Sequence, residues 1–378
     1  MTTFFLYGDA LRSPELRHEI AEPVGDTLAF IEHDGKRVVV GSVLEKDLLS
    51  GRDDVIDEFW DAHSLGYRDL VDDHDVPHHD IWPEIASRAL ERVGASRVAV
   101  PPTLDVLVAD YLRRKGIEVQ IDAEAWSERR RQKAPWEIEG IERAQRAADT
   151  AMLVAARMIR EAEPTFRGEL RFDGDVLTAE WIREAMSNEL ISLGAESEEI
   201  LVQCGDACLR GHDPGRGPIA PNATIVIDCY PRDRRTGAYT DMTRTFVSGE
   251  PSTEVRELHR HCRTALDIAF DALRPGADDA YLRVAGYFHE QGFPTQKHDP
   301  GQLKEGFSHA LGHGVGLEVH EKPNLRGRAD ALVAGDVVAV EPGLYFFGIG
   351  GVRLEDTVLV TEDRVEHFTD PFPYDLEL

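Results

Sequence analysis

Thr224-Ile225-Val226-Ile227-Asp228 and, thirteen residues beyond that aspartate, the segment around Asp241, Tyr239-Thr240-Asp241-Met242-Thr243-Arg244-Thr245-Phe246, carry the fold of this chain. The first is an apolar run that ends in a charge. Such a run suits a strand buried on both faces. A carboxylate at its end is costly unless a cation or strong hydrogen bonds meet it. In the second segment a strand would put Asp241, Thr243 and Thr245 on one face. Val337-Val338-Ala339-Val340 repeats the first pattern and ends in Glu341-Pro342-Gly343. Gly351 to Val358 alternates, with Arg353 and Glu355 facing one way and Val352 and Leu354 the other. One acid in such a place reads as a turn or cap residue. Four of them, Asp228, Asp241, Glu341 and Glu355, read as a site.

A fifth element is Phe307-Ser308-His309-Ala310-Leu311-Gly312-His313-Gly314-Val315-Gly316-Leu317-Glu318-Val319-His320-Glu321. Gly312 and Gly314 break a helix, so His309 and His313 are not the helical pair of a zincin, and Ala310 stands where that motif has its glutamate. The glycines let the backbone approach a site closely. Four carboxylates and one imidazole form a hard donor set whose charge balances two divalent ions, and carboxylates bridge ions about 3.5–4 Å apart. Mn²⁺, Co²⁺ or Zn²⁺ suit such a set better than a redox centre. The chemistry inferred is two-metal hydrolysis with a shared hydroxide as nucleophile.

Composition limits the partners. The 378 residues carry 70 Asp+Glu against 42 Lys+Arg, a formal charge of −28. Phosphate backbones and anionic membrane surfaces need a basic face, so no nucleic acid and no membrane is expected. With 42% hydrophobic residues the chain is not a disordered acidic tail. Only seven of the basic residues are lysines. Many acids with few lysines suit a halophilic cytosol at molar salt, where repulsion is screened over about 3 Å. Four cysteines (204, 208, 229 and 262) are too few for a disulfide framework and are expected to be buried. The N-terminal residues lack a basic signal-peptide region, and no apolar run is long enough to span a bilayer, so the chain reads as cytoplasmic.

Two domains are expected. Residues 1–133 suggest a small α/β domain. Strands Leu28–Ile31 and Arg37–Val40 flank the hairpin signal Asp34-Gly35. Strand Arg97–Val100, a helix over Thr103–Lys115 stopped by Gly116, and strand Ile117–Ile121 follow. The loop Asp72 to Asp80 holds three His and four Asp, and reads as solvated rather than metal-binding. The basic run Arg129 to Lys133 marks the boundary. Over 134–378, helices are predicted from Pro135 and over Ala179–Ser192, Thr253–Leu273 and Asp278–Glu290, with strands clustering late. That pattern predicts an α+β domain with a largely antiparallel sheet.

Taken together, Asp228, Asp241, His313, Glu341 and Glu355, with their flanks Asp241-Met242-Thr243-Arg244-Thr245, Glu341-Pro342-Gly343-Leu344-Tyr345 and Arg353-Leu354-Glu355-Asp356-Thr357, resemble the ligand set of the pita-bread (M24) metallopeptidases. That family includes methionine aminopeptidase, Xaa-Pro aminopeptidase and prolidase (Xaa-Pro dipeptidase). The likeness covers most of residues 134–378, and Asp228 to Gly237 is a longer loop than the common version. The resemblance implies a C-terminal pita-bread fold, two metal ions with Mn²⁺ first, and roles for residues outside the ligand set. His212 would lie near the leaving group and His320 by the substrate carbonyl. His309 and Arg353 would match residues of the proline-directed members. Glu341 would double as ligand and general base.

An N-terminal domain of this size is similar to that of the proline-directed peptidases and creatinase, where it usually supports a homodimer and walls the partner's cleft. The implied activity is hydrolysis of the bond preceding proline, in a peptide with Pro at its second position. Two other readings stand beside it: a non-catalytic binding protein of the same fold, and a related C–N hydrolase such as a creatinase-type amidinohydrolase. Creatinase lacks the metal ligands, and clustered acids without metal would repel one another.

Overall fold

The computed structural model describes residues 2–299, 301, 304–326 and 330–377; the outermost residues of the two predicted domains, 1 and 378, lie outside that set. The chain divides into two compact units, Met1–Arg130 and Arg131–Leu378. Arg131, the first residue of the second unit, is held within it. It donates to Asp336 Oδ1 and Oδ2 at 2.9 and 2.7 Å, both residues being buried.

In the first unit, strands β1 (Phe4–Gly8), β2 (Leu28–His33), β3 (Lys36–Gly41), β4 (Glu58–Asp61), β5 (Arg97–Val100) and β6 (Glu118–Ile121) form a mixed sheet in the order β4-β3-β2-β1-β5-β6. The β2–β3 hairpin closes through Asp34 and Gly35, with φ of 54° and 75°. Both central residues therefore have the positive φ of the turn that matches strand twist. Helix α1 (Ile81–Val93) buries Ile85, Ala89 and Leu90 against this sheet's core. Helix α2 (Val106–Arg114) begins later than the predicted Thr103, because Asp105 caps it by accepting from the Leu107 N–H. The acidic loop's histidines, His74, His78 and His79, are exposed.

In the second unit, α3 (Pro135–Glu161) packs a stripe of Ile141, Ala144, Ala148 and Met152 inward. Helix α4 (Ala179–Ser192) lies against it in one core. Strands β7 (Ile200–Cys204), β8 (Thr224–Cys229) and β9 (Met242–Val247) come next, then helices α5 (Thr253–Ala272) and α6 (Ala280–Glu290). Strands β10 (Gly312–Gly314), β11 (Glu321–Leu325), β12 (Val337–Val340), β13 (Gly343–Phe346), β14 (Gly350–Arg353), β15 (Glu355–Val360) and β16 (Val365–His367) follow. Eight of them build one antiparallel sheet, β7-β8-β9-β15-β12-β10-β11 with β16 on β15, and β13 pairs with β14 apart from it. The alternating run predicted from Gly351 to Val358 is thus two strands, broken at Leu354, whose N–H bonds Pro342 O. No helix among the described residues is long and apolar enough to cross a membrane.

The glycines around His313 are required by strand spacing. A Cβ on Gly312 would lie 1.9 Å from Ala339 O, and one on Gly314 2.1 Å from Lys322 O. Behind the sheet, Arg244 is 1% exposed and donates to the carbonyls of Thr243, Glu355 and Phe372 and to Asp356. Its guanidinium also stacks 4.3 Å from the Tyr374 ring, whose hydroxyl bonds Asp356. Residues 372–374 thereby close the back of two strands that carry acids on the other side. All four cysteines are free, and Cys208, Cys229 and Cys262 are buried.

Candidate active site

Register brings the acids together. Asp228 on β8 lies directly across from Thr243 on β9, and Thr243 directly across from Glu355 on β15. Residues opposite one another on adjacent strands share a face, so Asp228, Thr243 and Glu355 form one row. A second row, His313, Ala339 and Thr357, runs across β10, β12 and β15. Thr357 is two residues from Glu355, so both rows lie on the same face. Asp241 joins through its N–H, which donates to Thr357 Oγ1 at 2.9 Å. Glu341, two residues after Ala339, is fixed by its own N–H on Leu311 O at 2.8 Å.

Asp241, His313 and Glu355 offer ligand atoms that all lie within 4.8 Å of one another. The His313 Nδ1–H donates to Gly314 O at 3.1 Å. Its Nε2 is left with a free lone pair 3.7 Å from Asp241 Oδ2, the tautomer a metal ligand needs. Thr243 Oγ1 donates to Glu355 Oε2 at 2.6 Å. Asp228 Oδ1 and Asp241 Oδ1 are buried and accept no hydrogen bond, whereas buried carboxylate oxygens ordinarily find partners. Two unsatisfied anionic oxygens in an oxygen-rich set with one imidazole fit a pair of hard divalent cations.

Electrostatics describe the same cluster. Burial pushes Asp241 well above the carboxylate range, with Glu355, Asp228 and Glu341 adding to the shift. Burial, then Glu341 and Asp228, do the same to Glu355. Glu341 is pushed up to about 7 by burial, opposed by Arg353 and reinforced by Asp228. Burial lowers His313 to about 4, helped by His320, and His309 to about 4, helped by Arg353. Both imidazoles are therefore neutral near pH 7.

The remaining predicted residues surround this cluster. His320 packs its ring 4.2 Å from that of His313, and its pKa is lowered by burial and by His212. His212 itself is exposed on the loop after β7. Arg353 donates to Asp228 Oδ2 and, at 3.1 Å, to Thr243 Oγ1. His309 lies 3.7 Å from Glu341 Oε2.

Sequence reasoning gave no role to Tyr345, which is buried with its hydroxyl 3.1 Å from both Arg353 Nη1 and His309 Nε2. Arg353 donates to that oxygen, the hydroxyl donates to His309 Nε2, and His309 Nδ1–H donates to Ala310 O at 2.7 Å. Tyr345 sits in the segment beginning at Glu341, and that proximity was the available signal. Arg326 was also missed; its charge bears on Glu341, His309 and His320.

A model of metallopeptidase family M24 matches residues 139–362. The chain belongs to metallopeptidase family M24. This M24 chain is 28% identical over 321 residues to the Xaa-Pro dipeptidase of Lactobacillus helveticus, covering 82% of this chain and 78% of that enzyme. It is 33% identical over 175 residues to the Xaa-Pro dipeptidase of Lactobacillus delbrueckii subsp. lactis, a match spanning 46% of this chain and 45% of that one. Its fold is that of the prolidase from Pyrococcus horikoshii OT3, at TM-score 0.76 and 21% identity, covering 100% of this chain and 95% of the other. The X-Pro aminopeptidase from Thermotoga maritima MSB8 is alike at TM-score 0.75 and 20% identity, covering 100% and 98%. The α+β, pita-bread architecture of the M24 group is thus established for this metallopeptidase.

Proposed function

We propose that this M24 metallopeptidase hydrolyses the bond preceding proline in Xaa-Pro peptides, as an Xaa-Pro dipeptidase or aminopeptidase. The observation that carries this reading is the single sheet face on which four acids and His313 converge, with Asp228 Oδ1 and Asp241 Oδ1 unsatisfied. That the two Lactobacillus relatives are Xaa-Pro dipeptidases supports the choice of bond. Proline needs a dedicated enzyme because its nitrogen carries no N–H and its ring fixes the backbone.

Asp228, Asp241, His313, Glu341 and Glu355 would hold two divalent ions, Mn²⁺ first and Co²⁺ or Zn²⁺ next. When bound, such ions supply a low-pKa water and polarise the scissile carbonyl. Glu341, with its carboxyl near 7, suits proton acceptance close to neutral pH. His320, neutral and beside His313, donates to the oxyanion as it develops. His212 passes a proton to the departing amine, while His309, both of whose ring nitrogens are held by Ala310 O and the Tyr345 hydroxyl, lines the site beside Glu341. Arg353 and Tyr345 keep Asp228 and His309 in fixed orientations.

We further infer a homodimer supported by the N-terminal unit, in a cytoplasm of high salt. The test is elemental analysis of the purified protein, followed by hydrolysis of Ala-Pro and a length series of Xaa-Pro peptides with Mn²⁺. Metal-dependent cleavage before proline is the expected result. Cleavage of Ala-Pro alone marks a dipeptidase, and cleavage of longer members an aminopeptidase. A folded protein that takes up metal and cleaves none of them overturns the reading.

A further inference from the structure

The loop that carries His212 is tied to the sheet by one buried side chain. Gln203, on β7, is fully buried. Its Nε2 donates to Gly211 O and to Asp213 O, both at 2.7 Å. These are the carbonyls on either side of His212. Both partners are acceptors only, so the amide orientation is forced: nitrogen toward the loop, oxygen toward the core. The Oε1 atom is buried there with no hydrogen-bond partner. Leaving a buried amide oxygen unsatisfied is costly, and the arrangement maximises the hold on the loop.

The neighbouring backbone serves the same end. The Val202 N–H donates to Pro214 O at 2.9 Å. A Cβ on Gly215 would lie 1.8 Å from Val202 O, so the loop lies flush on β7. Gly211 has φ of 58°, a conformation that L side chains rarely adopt. The His212 ring is therefore an exposed group on a backbone that is rigidly placed from below.

We propose that Gln203 is the positioning residue for His212: it clamps the two carbonyls flanking that histidine and so sets where the imidazole stands. This inference rests on the reading of His212 as a proton donor to the leaving amine. Both amide protons of Gln203 go to that loop, so its effect on turnover runs through His212. Pre-positioning of this kind raises turnover, because a group displaced by about an ångström can lose about a hundredfold in rate.

The test is a double-mutant cycle on the Mn²⁺-loaded protein with Ala-Pro as substrate. The variants are Gln203→Met, which keeps volume and removes the donors, His212→Ala, and the pair. Gln203→Asn is the second variant, since its shorter amide cannot span both carbonyls and stays polar if the Met side chain is not accepted. The expected result is a fall in kcat of about tenfold for either Gln203 variant, with metal content per chain unchanged. In the His212→Ala background the same substitutions change kcat by less than twofold. A merely structural role would give losses that multiply across the two sites, and that outcome overturns the proposal. So does a Gln203 variant with full kcat while His212→Ala is impaired. If His212→Ala alone retains full kcat, the leaving-group reading of His212 has failed instead.

Discussion

The Arg353 guanidinium donates to the Asp228 carboxylate, so a buried positive charge stands inside a cluster of four acids. Removing it leaves those acids without that counter-charge. Loss of one member of a buried pair costs about 3–5 kcal/mol. Arg353→Met is expected to lower the stability of the metal-free protein by that order and to lower it less with Mn²⁺ present. Urea unfolding with and without the ion measures both.

Metal removal also sets a pH dependence. Glu341 is raised to about 7 in the folded chain, and Asp241 and Glu355 are raised as well. An acid whose folded pKa exceeds its unfolded one contributes stability below the unfolded value and loses it as pH rises through the folded one. The metal-stripped protein is therefore more stable at pH 5 than at pH 8, by roughly 3 kcal/mol from Glu341 alone. Thermal melts across that range, repeated after adding Mn²⁺, check the sign; a metal-free melt flat in pH contradicts it.

Asp241→Ala and His313→Ala each delete a ligand atom from the group that converges within 4.8 Å. Both should reduce metal-dependent hydrolysis at least about a hundredfold, since even partners outside the ligand shell cost 10–100-fold. Metal per chain, read by elemental analysis, should fall with the rate. Activity surviving in either variant would place the site elsewhere.

Tyr345→Phe removes a hydroxyl shared by Arg353 and His309. A buried donor left unpaired costs about 1–3 kcal/mol. The kcat should drop by about tenfold while metal stoichiometry holds. Steady-state kinetics beside metal analysis separates this from loss of the ions.

Much of the architecture was legible because its signals are local. Asp34-Gly35 demanded a turn with positive φ, and Ala179–Ser192 kept one helical period to its end. The acids were legible because the runs before Asp228 and Glu341 are too apolar to end in a charge without reason. What escaped was set by partners distant in sequence. Leu354 breaks a strand whose alternation looked continuous, because β14 pairs with β13 while β15 pairs with β9 and β12. Tyr345 reads as an ordinary aromatic in a strand until the fold sets its hydroxyl between Arg353 and His309. Gln203 stands in an apolar strand with no mark of its task, since the carbonyls it holds belong to a loop eight and ten residues on.

Arg244 ties the acidic face to residues far along the second unit. Its guanidinium bonds the carbonyls of Glu355 and Phe372 and lies against Tyr374, so the strand bearing Thr243 is braced by residues about 130 positions later. Residues 372–374, which carry none of the acids, are thus part of the scaffold that holds the acid row in register.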